Sequence, residues 1–308
     1  MTSLRATIRA HLVFLLMGTF LFGTPCVRAE DAPVAAAQQA GAFAPEGPPA
    51  ATPDSRIRIF LPTGDVFKPL VADPKQPRFF VSYRRYEYQH DIINVAAVGY
   101  GELFGITRSV DPATGDGWQI GFGGGLFAQF NLDAPSHDLV NADYTVGMPV
   151  TFRQGRGSAR ISLYHQSSHL GDEFLLHAKP ERLELSYEAL NALGSYEWAS
   201  WRLYGGGETL VHKEPHDLKP LSLQAGAEYY GRSPIVGKGY PVAGMDFKSS
   251  QEHDWAVSGS VVAGMEFHGT EGNRLIRFLL EGYRGFTPHG QFYTTRISYY
   301  GVAVQLPY

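Results

Sequence analysis

From Arg78 onward apolar and polar residues alternate with the period of two expected of β-strands whose faces meet different surroundings. Trp118, Ile120, Phe122, Leu126 and Phe130 form one row, and Gln119, Gly121, Gly123, Gln129 and Asn131 the other. Tyr144, Val146, Met148, Val150 and Phe152 alternate with Asp143, Thr145, Gly147 and Arg153. Leu183, Leu185 and Tyr187 alternate with Glu184, Ser186 and Glu188, and Trp255, Val257, Val261, Met265 and Phe267 with Ser258, Ser260 and Glu266. The pattern predicts twelve strands, over 78–88, 92–107, 118–131, 142–153, 159–170, 181–193, 201–212, 221–231, 240–248, 255–267, 274–284 and 292–308, joined by short turns. A further short strand is expected within 56–60. The stretch 67–77, FKPLVADPKQP, has too many prolines to pair in a sheet, so it is read as an ordered turn that feeds the first strand or packs under the barrel.

A soluble sandwich also alternates. Three features favour an all-β, transmembrane antiparallel barrel of about twelve strands. Aromatic residues gather at the ends of the apolar rows, as interfacial girdles do. Charged residues recur on the other face, among them Arg84, Arg153, Arg160, Glu184, Glu188, Arg202, Glu228, Asp246, Lys248, Glu266, Arg277 and Glu281. Such residues suit a lumen closed by ion pairs, because a buried charge left unpaired is costly. The third feature is the closing row Tyr300, Val302, Val304, Leu306, Tyr308, which resembles the C-terminal signal that outer-membrane barrels present to the barrel-assembly machinery. Within that strand Arg296 and Ser298 share the parity of Tyr300, so either this part rises above the lipid or a bulge intervenes.

The first residues change where the chain is expected to reside. Arg5 and Arg9, the apolar run Leu12 to Phe22, and Val27-Arg28-Ala29 have the layout of a secretory signal over 1–29. Cleavage after Ala29 would remove Cys26 and with it all thiol chemistry. It would also take the 26 basic residues to 23 against 30 acidic ones, a balance of −7, which argues against nucleic acid as a partner. Residues 30–55 are rich in Ala, Pro and Gln without apolar periodicity, and read as a disordered leader. The barrel then occupies 56–308, and the expected site is the outer membrane of a Gram-negative bacterium, in contact with its lipids.

The candidate chemistry lies in Arg160 to Glu173, RISLYHQSSHLGDE. The apolar row Ala159, Ile161, Leu163 continues into His165, Ser167 and His169. A serine nucleophile needs a base, and the base an orienting partner. Residues two apart on a strand face have Cα atoms about 6.6 Å apart, within reach of an imidazole leaning along the strand. Ser167 is the candidate nucleophile and His165 the base, with His169 as a second candidate. Glu181 at the top of the next strand is the expected orienter, and Asp172 and Glu173 are alternatives. The leading reading is a polar strand end with no assignable activity, the barrel then being structural or a narrow pore or transporter with a mostly closed lumen, and the serine hydrolase is its rival.

The His-x-Ser pair resembles outer-membrane phospholipase A and the lipid A 3-O-deacylase, which carry His-x-Ser-Asn on a strand facing lipid. Ser168 stands here in place of that Asn. The resemblance implies hydrolysis of phospholipid or lipid A acyl esters. Calcium enters as a cofactor only if that activity holds. A broader resemblance rests on Phe67-x-Pro69-Leu70-x-Ala72-Asp73-Pro74-x-x-Pro77, on His165 to Glu173, and on Gly282-Tyr283-x-Gly285-x-x-Pro288-x-Gly290-Gln291-Phe292. These three stretches are similar to a bacterial family of secreted β-proteins catalogued as domain of unknown function 1207, which implies an outer-membrane location and no particular activity.

Two other signals are weaker. His90, His137, His169, His177, His212, His216, His253 and His289 are expected in or beside the outward connections, without a metal-ligand spacing on a defined element. The glycine runs Gly121 to Gly125 and Gly205 to Gly207 lack the following Lys-Ser/Thr of a phosphate loop, and glycine in a barrel strand more often permits bending.

Overall fold

The computed structural model describes residues 56–88, 91–180, 183–269 and 274–307. The expected signal segment and leader, and with them His90, Glu181 and Tyr308, lie outside the described residues. The strands are β1 (Ile57–Phe60), β2 (Phe79–Tyr88), β3 (Asp91–Val110), β4 (Gly117–Asn131), β5 (Leu139–Gln154), β6 (Gly157–Leu170), β7 (Leu185–Trp198), β8 (Trp201–Glu214), β9 (Leu221–Tyr230), β10 (Tyr240–Ser250), β11 (Val257–His268), β12 (Leu275–Phe286) and β13 (Arg296–Leu306). One helix, α1 (Asp172–Ala178), lies between β6 and β7.

Strands β2 to β13 each pair antiparallel with their sequence neighbours, and β13 pairs with β2, closing a twelve-stranded barrel. Closure leaves no open edge among these strands, as a lipid surrounding demands of a sheet. β1 pairs with the far end of β3, Ile57 opposite Val110. The predicted spans agree with the strands to within a few residues at most ends. The sixth starts later and runs further than expected, over Leu185–Trp198.

The outer wall is apolar and exposed. Val81, Leu163, Leu203, Leu280 and Val302 are all more than half accessible. The buried residues lie inside, where Arg84, Arg202, Glu228, Asp246, Glu266 and Arg277 accompany apolar groups. Arg202 pairs with Glu228 at 3.0 Å, Arg84 with Glu281 at 2.7 Å and Arg277 with Glu266 at 2.7 Å. Each pair satisfies charges that would be costly to bury alone.

The proline-rich stretch runs inside the barrel. It neither packs beneath it nor acts as a plain turn. Phe67, Leu70, Val71 and Ala72 are almost fully buried. Phe67 and Leu70 pack on Leu193 and Tyr204, while Val71 and Ala72 pack on Val242, Val262, Leu279 and Ala303. The Val71 amide donates to Glu228 at 2.6 Å, Lys248 pairs with Asp73 at 2.8 Å, and Arg202 lies over the Phe67 ring. The segment is therefore a plug that uses side-chain and backbone donors in place of strand pairing.

One face of β7 is reversed from the expectation. Leu185, Ala189 and Leu193 turn inward and are buried, Leu193 against Phe67 and Leu70 of the plug and Leu185 beside Gly290. Glu188, expected in the lumen, faces outward, because inward and outward positions alternate and Ala189 points in. Glu184, also expected inside, is exposed in the connection before β7.

Candidate functional site

His165, Ser167 and His169 share the outward face of β6 with Ile161 and Leu163, as alternation requires. His165 lies opposite Val146 on β5 and Glu188 on β7. Its Nδ1 donates to Glu188 Oε1 at 2.8 Å. The other Glu188 oxygen accepts from Nδ1 of His212 on β8 at 2.9 Å. The β5–β6 and β6–β7 registers run unbroken through His165, whereas between Glu188 and Ala189 the β7–β8 register shifts, and this bulge seats His212 opposite Glu188.

Ser167 lies opposite Tyr144 and Ser186. The Glu188 carboxylate fixes the His165 tautomer, so that Nε2 is the ring nitrogen left for proton transfer. The side chains of His165 and Glu188 are each 40% accessible, so this is a wall-surface pair and not a lumen ion pair. His169, the second candidate base, meets the Tyr144 ring edge-on at 5.8 Å. Asp172 and Glu173 stand in the first turn of α1. The structure brings together His165 and an acid, Glu188, a residue expected in the lumen, and leaves Ser167 two positions along the same outward face. The hairpin register was the missing signal, since pairing across a connection of this length is not readable from alternation.

A shallow groove of about 380 Å³ adjoins His165 on the outer wall, lined by Tyr100, Glu102, Gly124, Leu126, Tyr144 and Val146 among others. Its floor at Gly124 carries no side chain. The groove gives an apolar chain lying on the wall a place beside the imidazole.

On the opposite face of the same strand, Ser168 is buried and donates to Asp143. Asp143 also pairs with Lys75 of the plug at 2.5 Å and accepts from the Gly290 amide at 3.2 Å. Gln291 reaches the Ser168 and Leu183 carbonyls at 2.7 and 2.8 Å. A Cβ on Gly290 would stand 2.7 Å from that of Ser168, so glycine is what allows the approach. The three stretches behind the family resemblance meet here: the plug, the polar end of β6, and the β12–β13 connection. His289 lies in the β12–β13 connection as expected, but is buried beside Asp143 at 3.6 Å, and burial lowers its pKa to about 4. The other described histidines expected near outward connections sit at this end too, in or beside the connections after β4, β6, β8 and β10. Among the described residues no group of three or more His, Cys, Asp or Glu side chains is placed to hold a metal ion.

Known proteins agree with this architecture. The model of a family described as protein of unknown function (DUF1207) matches residues 29–308. No curated protein matches the chain in sequence. Among solved structures, outer membrane phospholipase A from Escherichia coli is similar with a TM-score of 0.53 at 12% identity, over 75% of this chain and 90% of that one. The outer membrane phospholipase dimer with bound calcium from Salmonella typhi gives 0.52 at 12% identity, over 78% and 93%. At this identity the likeness is one of fold, and it makes the barrel one of outer-membrane type.

Proposed function

The chain belongs to the family described as protein of unknown function (DUF1207), and from its outer wall we propose that it is an outer-membrane lipid acyl-ester hydrolase. The observation that carries this reading is the His165–Glu188 pair, 2.8 Å apart on the lipid-side face of the wall and two residues from Ser167. Ser167 is the nucleophile, His165 the base and Glu188 the orienting acid, in place of Glu181. Attack of Ser167 Oγ on an ester carbonyl passes the hydroxyl proton to His165 Nε2. The imidazolium returns that proton to the departing alcohol, leaving an acyl-serine. Water then releases the fatty acid by the same proton route. Glu188 holds the ring and offsets the charge that forms on it.

The substrates are phospholipid or lipid A acyl esters, reached from the leaflet at the α1 end of the barrel. The likeness to outer membrane phospholipase A supports this scaffold for such chemistry. No step is assigned to calcium. Export by the segment 1–29, cleaved after Ala29, and residence in a Gram-negative outer membrane complete the proposal, with the Tyr300–Tyr308 row addressed to the barrel-assembly machinery. The plug favours a lumen that does not conduct.

The test is acyl release from fluorescent phospholipid and from lipid A by refolded protein in detergent, with and without calcium. Release by wild type that Ser167→Ala and His165→Ala both abolish is the expected result. No release above a detergent control, from protein shown to be folded by heat-modifiable migration, refutes it.

A further inference from the structure

A second outward site lies on β10 to β13 and β2, away from the β6–β8 face. Arg296 and Ser298 do share the outward parity of Tyr300. The β12–β13 register runs unbroken from Arg277 opposite Gln305 to Phe286 opposite Arg296, so no bulge turns them inward. Arg284 on β12 lies opposite Ser298, and Ser298 opposite Glu87 on β2. Arg284 and Arg296 are both exposed. Arg296 lies over the Phe286 ring at 4.7 Å, and Ser298 donates to Glu87 at 3.3 Å. The Arg284 side chain has no ion-pair or hydrogen-bond partner among the described residues.

These residues rim an open groove of about 1030 Å³. Below the rim its lining is apolar, with Phe247, Val257 and Val261 as walls and Gly259 and Gly282 as a floor without side chains. The rim flanks the β12–β13 connection, at the same end of the barrel as α1 and the β6–β7 connection.

A guanidinium on the lipid side of a barrel is tolerated near the interface, and it is stabilised there by an anion that offers oxygens to its fork of donors. An apolar groove running down the wall from two such groups has the shape and charge of one kind of molecule. We propose that this groove is a binding site for an anionic lipid, whose phosphate lies between Arg284 and Arg296 and whose acyl chain lies over Gly259 and Gly282. Charge complementarity selects this occupant over a zwitterionic lipid, whose own cation competes with the arginines. The continuous apolar floor selects it over free phosphate. Glu87 limits the site by disfavouring a second anion at the β2 side. The site is independent of Ser167 and its chemistry.

The experiment is native mass spectrometry of the refolded full chain in detergent, with phosphatidylglycerol, phosphatidylcholine or inorganic phosphate added in turn. Retention of phosphatidylglycerol at several-fold higher occupancy than phosphatidylcholine is expected, unaffected by excess phosphate. Arg284→Gln combined with Arg296→Gln should abolish that preference, and the Arg284→Lys, Arg296→Lys pair should keep most of it. All variants should keep heat-modifiable migration, since both side chains lie on the exposed wall. Equal retention of the two lipids by wild type, an unchanged preference in the double glutamine variant, or displacement by phosphate alone would each overturn the assignment.

Discussion

At the scale of single residues, the outer and inner faces of β6 carry separate polar clusters. Outward, His165 and His212 share the two oxygens of Glu188. Glu188→Gln should lower kcat for acyl release by about 100-fold, within the range that general acid–base groups contribute, while leaving the barrel folded. His212→Ala should cost less, because His212 touches only the far oxygen of the acid. Steady-state kinetics of the two variants checks the order. Inward, Asp143 gathers Lys75, Ser168 and the Gly290 amide. Asp143→Ala leaves the Lys75 ammonium buried and unpaired, a loss of about 3–5 kcal/mol for a broken buried pair. A fall in the urea midpoint of that variant would show it. Burial lowers His289 to about 4, so the folded chain resists a proton that the unfolded chain accepts near 6.5. Stability therefore falls as pH drops from about 6.5 to about 4. The Asp73 carboxyl, which burial alone would raise, is held at about 2 by the Lys248 ammonium, so its contribution persists through that window. Urea midpoints at pH 7 and pH 4 should differ less in His289→Gln than in wild type.

At the scale of elements, the strands were legible and the plug was not. Rows such as Tyr144 to Phe152 and Tyr300 to Leu306 alternate cleanly because their outer face meets one kind of surrounding. The proline content of residues 67–77 ruled out a strand but could not indicate that the segment enters the lumen. That depends on long-range partners: Glu228 for the Val71 amide, Lys248 for Asp73, Asp143 for Lys75. In β7 the apolar row faces inward, Leu193 against Phe67 and Leu70 of the plug and Leu185 against Gly290. Glu188 was misplaced as a result. The outward placement of His165 and Ser167 is legible in the sequence because they continue the row of Ile161 and Leu163, which needs only local alternation. Because the plug carries no strand pairing within the barrel, its removal should leave the wall intact and the lumen open. Planar-bilayer recordings should show no steady conductance for wild type and frequent openings when residues 64–76 are replaced by a short Gly/Ser linker.

At the scale of the whole barrel, strands β2 to β13 close around a filled centre, so the proposed chemistry belongs on the wall. The Ser167 face and the groove under Arg284 and Arg296 lie toward the same end of the barrel. The barrel supplies rigidity, since neighbouring strands on both sides fix the backbone of β6 and β7. The most direct measurement is covalent trapping. Folded protein would be treated with a long-chain alkyl fluorophosphonate and the modified residue mapped by mass spectrometry. An adduct on Ser167 in wild type, lost in His165→Ala and slowed in Glu188→Gln, is expected of a serine activated by that pair. An unmodified Ser167 in folded protein, or labelling indifferent to His165, would contradict a hydrolytic site on the outer wall.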